Sequence, residues 1–272
     1  MFDRSDPRKN KVLRAAAVLT PGYTPEKALG RAQEIQTLAD TLRPLTHRQP
    51  PQHLIVYGPS GTGKTTCVNY VFDRVEKETS TKTVSINCWK YNTRPSLLTA
   101  LLVQLGYPIP RKGRPVDDLL SILREYLDKH HGFAVMLDEF DQLRAKTQVI
   151  YDLHLASRDA ENQIGIVMIT NQHPSQIKFG PRIRSRLNCT VLEFTPYTPS
   201  QLLEILRPRV EHAFKPGTVS DEIIEDIAEQ VAEKTGDCRT GLEILLKAGR
   251  KANQENDRSL TQTHVNSVLS KL

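Results

Sequence analysis

The chain has 272 residues, of which 38% are hydrophobic and 25% are charged, a composition typical of a folded globular protein with a sizeable core. Its formal net charge of +6 permits an anionic partner such as nucleic acid but does not identify one. The longest apolar stretches, such as residues 97–103, which Thr99 interrupts, are far too short to cross a bilayer, so we expect no membrane partner.

The first part of the chain contains the elements of an α/β domain. We expect residues 1–24, which show no clear period, to form an N-terminal arm. Apolar residues at helical spacing follow Arg31, and the apolar run 53–57 predicts the first strand. A helix should then run over residues 64–78.

Later apolar runs extend this pattern. They predict four more strands, at residues 83–87, 133–137, 164–169 and 191–194. Leucines at helical spacing predict two helices between the second and third strands. Because strands that alternate with helices form parallel sheets covered on both faces, we predict an α/β fold with a five-stranded parallel sheet between helical layers.

The pattern changes after Phe194, where strand signals stop. Helical spacing recurs at residues 202–206, 223–231, 242–246 and 265–269. We therefore predict an α/β domain over residues 25–195 and a small all-α domain over residues 196–272.

A glycine-rich motif, Gly58-Pro59-Ser60-Gly61-Thr62-Gly63-Lys64-Thr65, directly follows the first predicted strand. Its glycines let backbone N–H groups turn toward phosphate oxygens, and the helix that follows adds the positive end of its dipole. Lys64 can reach the outer phosphates, and the Thr65 hydroxyl can ligate magnesium. We predict a site for ATP/ADP and Mg²⁺ formed by Gly58, Pro59, Ser60, Gly61, Thr62, Gly63, Lys64, Thr65 and Thr66.

Two carboxylates, Asp138 and Glu139, follow the third predicted strand. Ligands bind beyond the carboxyl ends of parallel strands, where the phosphate loop also lies. Asp138 would complete the metal site with Thr65, and Glu139 would orient and polarise the attacking water. Asn171 ends the next strand and could bond the γ-phosphate or that water; an asparagine that only begins a turn is an equal alternative.

Four motifs in this order resemble the AAA+ ATPase superfamily: the phosphate loop, Asp138-Glu139, Asn171 as sensor one, and the arginine-rich segment 181–187. The helical tail resembles the AAA+ lid. Within it, Thr235-Gly236-Asp237-Cys238-Arg239 is similar to the sensor-two helix of the archaeal and eukaryotic origin-recognition and cell-division-cycle replication initiators. The resemblance covers roughly residues 20–272, and it implies ATP hydrolysis that is slow.

The resemblance also implies roles for four arginines. Arg239 resembles the sensor-two arginine, which contacts the γ-phosphate from the lid of the same subunit. Arg182, with Arg186 as a second candidate, resembles the arginine finger that acts on nucleotide held by a neighbouring subunit. A second copy of the chain or a related initiator subunit is therefore an expected partner. Arg31 would lie near the base or ribose, and a plain helix-surface arginine is the alternative.

The resemblance implies two other partners, duplex DNA and a replicative helicase. It also implies that the protein lies in the cytoplasm, in association with the nucleoid. The family usually places a winged-helix domain after the lid. This chain ends at Leu272, so we expect that domain to be absent and sequence-specific origin binding to be in doubt.

The loop 107–115, with Arg111, Lys112 and Arg114, is either a contact to DNA phosphates or a solvated basic loop. We expect no stretch that interleaves aromatic and basic residues, which favours duplex backbone contact over stacking on single-stranded bases.

Other functions remain open alternatives. A transposition-helper or partition-type AAA+ ATPase would also lack a winged helix, whereas the lid motif favours a replication initiator. A slow ATP switch would regulate another initiator without binding DNA. A metabolic kinase is more remote, because the arginine cluster and the helical tail would then be unexplained.

Overall fold

The computed structural model describes residues 11–23, 25–47, 49–109, 113–130, 132–158, 162–177, 179–180, 187 and 189–270. These residues fall into two compact units. The α/β unit comprises the described residues of Arg31–Pro59 and Lys64–Phe194, and the helical unit comprises the described residues of Met1–Gly30, Ser60–Gly63 and Thr195–Leu272.

Five parallel strands form one sheet in the α/β unit, in the spatial order β2-β3-β4-β1-β5. Their bounds are β1 His53–Tyr57, β2 Lys82–Asn87, β3 Phe133–Asp138, β4 Ile164–Thr170 and β5 Cys189–Glu193. The predicted five-stranded α/β fold is confirmed, and the apolar runs located every strand to within a few residues. Every residue of β4 is buried, which is the pattern of a central parallel strand covered on both faces.

The strand register brings the chemically important ends together. Asn87 lies opposite Asp138 in the β2–β3 pair, and Tyr57, the last residue of β1, lies opposite Thr170. The carboxyl ends of parallel strands share one edge of the sheet, so the segments after β1, β2, β3 and β4 all leave the sheet at this edge.

The helices of the α/β unit are α1 Ala32–Thr46, α2 Lys64–Glu78, α3 Arg94–Gln104, α4 Val116–Lys129 and α5 Lys146–Arg158. Leucines of α3 and α4, such as Leu101 and Leu123, share one buried cluster with strand residues such as Val135. Helix α5 was not among the predicted elements, although Val149, Ile150, Leu153 and Ala156 are buried on it at helical spacing.

The helical unit is built from α6 Pro199–Ala213, α7 Asp221–Lys234, α8 Cys238–Gln254 and α9 Gln262–Leu269. All four helical patterns that the sequence shows after Phe194 are present. Thr198 and Asp237 start α6 and α8 as N-caps, because their side chains accept bonds from the backbone N–H groups of Gln201 and Arg239.

Residues 11–23 of the predicted N-terminal arm pack within the helical unit. Val12 and Leu13 are buried in its apolar cluster, and Leu13 forms a bridge with Phe214. Asn253 fixes the same segment, because its side-chain oxygen accepts bonds from the backbone N–H groups of Lys11 and Val12 at 3.0 and 2.9 Å. This part of the chain therefore contributes to the core of the unit.

Candidate nucleotide-binding site

The glycine-rich loop joins the end of β1 to the start of α2. Gly58, Gly61 and Gly63 have φ angles of 145°, 71° and 91°, which side-chain-bearing residues rarely adopt. At Gly58 space is equally restrictive, because a Cβ there would lie 2.1 Å from the carbonyl oxygen of Phe194. The backbone is therefore curled as a phosphate-binding loop requires.

Lys64, in the first turn of α2, reaches back over this loop. Its ammonium donates to the carbonyl oxygens of Gly58 and Pro59 at 2.7 and 2.6 Å. The first turn of α2 contains no acidic residue, so nothing there opposes an anion at the helix N-terminus. This geometry suits a site for phosphate groups.

Thr65 and Asp138 are brought together as the sequence predicts. The Thr65 hydroxyl lies 3.2 and 3.1 Å from the two carboxylate oxygens of Asp138. Burial raises the pKa of Asp138 above its ordinary value, while the hydrogen bond from Thr65 lowers it. A divalent cation would relieve the cost of burying this charge, and oxygen ligands of this kind fit Mg²⁺.

Glu139 follows Asp138 with a φ angle of 53°, the left-handed conformation that is uncommon outside glycine. Its carboxylate is exposed and accepts a 3.0 Å hydrogen bond from the side-chain amide of Asn87. Asn87 was not among the predicted site residues. Its signal, a polar residue at the end of a strand, becomes informative only when β2 is known to lie beside β3.

The predicted sensor Asn171 follows β4 and is exposed. The residue before it is buried, and the Thr170 hydroxyl donates to Asp141 at 3.2 Å. Thr170 thereby links the end of β4 to the turn that carries Glu139. The role of Asn171 toward phosphate or water stays a prediction.

Arg31 is almost fully buried, with 1% of its surface exposed. Its guanidinium pairs with Glu34 at 2.7 Å and lies 5.3 Å from the ring centre of Phe194. The contacts with Glu34 and Phe194 stabilise the fold. A contact between Arg31 and the base or ribose stays a prediction.

Arg239 is positioned at the N-terminus of α8 within the helical unit, to which the loop tip Ser60–Gly63 also belongs. One of its guanidinium nitrogens donates to the Ser60 hydroxyl at 3.1 Å. The backbone N–H of Cys238 bonds the Gly61 carbonyl at 3.2 Å. Arg239 therefore contacts Ser60 within the same unit, and its role as sensor two stays a prediction.

Other predicted basic residues lie outside the described part of the chain: Arg111, Lys112, Arg182 and Arg186. Arg114 is described and exposed.

One expectation from the sequence is wrong. Trp89, Lys90 and Tyr91 do interleave aromatic and basic residues, and they form the turn that follows β2. The motif escaped the sequence analysis because it is only three residues long.

A second polar cluster lies in the helical unit, where Glu255, Asp257 and the buried His264 have ligand atoms within 4.8 Å of one another. His264 Nδ1 accepts the backbone N–H of Thr261 at 3.1 Å, so the ring proton sits on Nε2 and points to Glu255. Metal-binding histidines instead donate from their second nitrogen. The cluster is therefore explained as the cap of α9.

A parallel five-stranded sheet of this order, with a phosphate loop after β1 and an acidic pair after β3, defines a P-loop nucleotide-binding protein. Residues 47–177 match the AAA domain family model, and residues 203–269 match the Cdc6 AAA+ ATPase-type lid domain. The chain belongs to the AAA+ ATPases of the origin-recognition and Cdc6 type.

Individual relatives agree with this family. The chain is 30% identical over 271 residues to an ORC1-type DNA replication protein of Pyrococcus horikoshii, covering 95% of this chain and 65% of the relative. An Aeropyrum pernix ORC1 protein, solved in complex with DNA, superposes with a TM-score of 0.82 at 28% identity, covering 96% of this chain and 70% of that one. The A. pernix ORC2 protein, solved with ADPNP and ADP, shares the fold with a TM-score of 0.80 at 23% identity, covering 96% and 72%. The chain thus spans about two thirds of the length of the curated relative.

Among the described residues, no helix combines the length and the apolar character needed to cross a membrane.

Proposed function

We propose that this protein binds Mg²⁺-ATP, hydrolyses it slowly, and engages duplex DNA and initiator partners in a nucleotide-dependent way. The observation that carries the proposal is the site itself. The curled loop under Lys64, the Thr65–Asp138 pair and the exposed Glu139 supply a phosphate cradle, a metal site and a base for water. The family relationship adds DNA, because an ORC1 relative was solved in complex with it.

Each residue has a task that follows from its position. The loop N–H groups and Lys64 would bind the phosphates, and Thr65 and Asp138 would hold the metal, which neutralises charge on the phosphates when bound. Glu139 would take a proton from the attacking water, and it must first release Asn87 to do so. Arg239 already touches Ser60, so it can report whether the loop carries a triphosphate or a diphosphate.

Partner contacts follow the family. Arg182 is proposed to act on nucleotide bound by a second copy of the chain or by a related initiator subunit, and a replicative helicase is the proposed downstream partner. The lid match favours this function over a transposition helper. A slow ATP switch that regulates another initiator is the alternative, and it differs from the proposed function only in not binding DNA.

Steady-state ATP hydrolysis tests the enzymatic part of the proposal. Glu139→Gln should lower turnover by about 10²–10⁴-fold while ATP still binds, because the base is lost and the phosphate cradle is intact. Glu78→Gln, which changes an exposed glutamate at the end of α2, is the matched control and should leave turnover unchanged. Equal turnover by wild type and Glu139→Gln, with or without DNA, would contradict an ATPase cycle.

A further inference from the structure

The single tryptophan of the chain is exposed. Trp89 retains 66% of its accessible surface, more than any other large hydrophobic residue in the described part of the chain. An indole is the largest apolar side chain, and leaving it in water forgoes the stabilisation that burial would give. An exposed aromatic ring on the edge of the sheet that also carries the nucleotide site points to a ligand.

Hydrogen bonds hold the backbone of the turn that presents Trp89. The side-chain oxygen of Asn87 accepts the backbone N–H groups of Trp89 and Lys90 at 3.0 and 3.1 Å. Tyr91 packs against the apolar core, and Thr93 caps α3 immediately afterwards. The backbone that carries the indole is therefore fixed before any ligand arrives, which lowers the entropic cost of binding.

Positive charge accompanies the ring. Lys90 is exposed, lies with its ammonium 5.3 Å from the ring centre of Tyr91, and has no acidic partner among the described residues. Next to the turn, the backbone N–H of Arg144 bonds the carbonyl of Asn92 at 3.1 Å. The Arg144 side chain lines a cleft of about 470 Å³ together with Lys146.

We propose that the Trp89–Lys90 turn is a stacking platform for an unpaired DNA base, with Lys90 and Arg144 contacting the neighbouring phosphates. The proposal rests on the proposed function in taking DNA as the ligand, and it adds a single-stranded component to duplex binding. An exposed ring followed by a lysine that has no acidic partner among the described residues, with Arg144 close along the same turn, matches a base and its phosphates, and such stacking tolerates any sequence. A protein partner would need a wider apolar patch around Trp89. The other exposed large hydrophobic residues of the described chain, Val103 and Val191, lie on α3 and β5 and not in the turn.

The lone tryptophan makes the test direct. Its emission, excited at a wavelength where nucleotides do not absorb, is recorded while a short single-stranded oligothymidine or a duplex is added to the full chain, with and without Mg²⁺-ATP. Anisotropy of the labelled DNA is measured in parallel. We expect quenching of Trp89 by the single strand, to a greater extent than by the duplex.

Variants separate stacking from general charge. Trp89→Ala should weaken single-strand binding roughly tenfold, and Trp89→Phe should retain most of the affinity. Lys90→Ala should reduce the salt slope by about 0.7, the share of one phosphate contact. Lys82→Ala, which removes an exposed lysine at the opposite end of β2, should have a much smaller effect. Unchanged thermal unfolding would show that the variants fold.

The outcomes are distinguishable. If the protein binds DNA but Trp89 emission does not change and Trp89→Ala binds equally well, this inference is overturned and the proposed function stands; the turn would then serve a protein partner. If neither single-stranded nor duplex DNA binds at low salt in any nucleotide state, both this inference and the DNA-binding part of the proposed function are contradicted.

Discussion

The side-chain amide of Asn87 donates a 3.0 Å hydrogen bond to the carboxylate of Glu139, the residue expected to activate water. The same Asn87 side chain accepts two backbone N–H groups from the Trp89–Lys90 turn. One residue at the end of an edge strand therefore connects Glu139, the proposed catalytic base, with the turn that presents Trp89.

Asn87→Asp is expected to raise basal ATP turnover severalfold. The substitution keeps an oxygen that can accept the two turn N–H groups, but it replaces the donor to Glu139 with a like charge. Glu139 is then released toward water. Turnover of ATP without DNA measures the effect, and Ser85→Ala, two residues earlier on the same face of β2, serves as the control. A turnover unchanged or lower in Asn87→Asp would show that this hydrogen bond does not restrain Glu139.

Arg239→Ala is expected to reduce the preference for ATP over ADP by roughly tenfold, since a hydrogen bond to a charged group is worth about 1.5–3 kcal/mol. The measurement is competition of ATP and ADP for the site. Arg250→Ala removes an exposed arginine from the same helix and should leave the preference intact. An unchanged preference in Arg239→Ala would rule out a γ-phosphate contact by this residue.

His53 should make the fold sensitive to mild acid. Burial, and to a smaller extent the neighbouring His154, lowers the pKa of His53 from 6.5 to about 4. As the pH falls, His53 is protonated in the unfolded chain before it is protonated in the folded protein. The stabilisation that comes from the neutral folded ring is therefore fully present above about pH 6.5 and is lost as the pH falls toward 4. Between pH 7 and pH 5, His53 should lower the free energy of unfolding by about 2 kcal/mol.

Urea unfolding at pH 7 and pH 5 measures this contribution. The difference between the two free energies of unfolding should shrink by about 2 kcal/mol in His53→Gln. It should stay the same in His212→Gln, which removes an exposed histidine. An undiminished difference in His53→Gln would mean that the His53 ring is not held neutral.

Leu13→Ala is expected to cost about 2–5 kcal/mol of stability, because the side chain is 4% exposed and packs in the apolar cluster of the helical unit. Thermal or urea unfolding measures the loss. Val103→Ala, at a half-exposed position, should change stability by no more than about 0.5 kcal/mol. A similarly small effect at Leu13 would indicate that the N-terminal segment is dispensable for the fold.

The sequence was sufficient for the fold and for the local parts of the site. Apolar runs identify buried strands, and the phosphate loop is contiguous, so Lys64 and Thr65 could be recognised without a structure. The pairing of Thr65 with Asp138 followed from the rule that parallel strands end at one edge.

Other features depend on contacts between distant segments. Asn87 meets Glu139 only because β2 lies beside β3, and strand order is not readable from periodicity. Leu13 shows no periodic neighbours, so its burial against Phe214 could not be predicted. Arg31 has the charge of a ligand-binding residue, yet the structure buries it in an ion pair with Glu34.

Nucleotide is proposed to control the binding of this protein to DNA. The most direct measurement is the fluorescence anisotropy of labelled duplex DNA, titrated with the purified protein over about 50–200 mM salt, with and without Mg²⁺-ATP. We expect binding that depends on nucleotide and weakens steeply with salt. An absence of binding at low salt in every nucleotide state would contradict it and would leave a protein-partnered ATP switch.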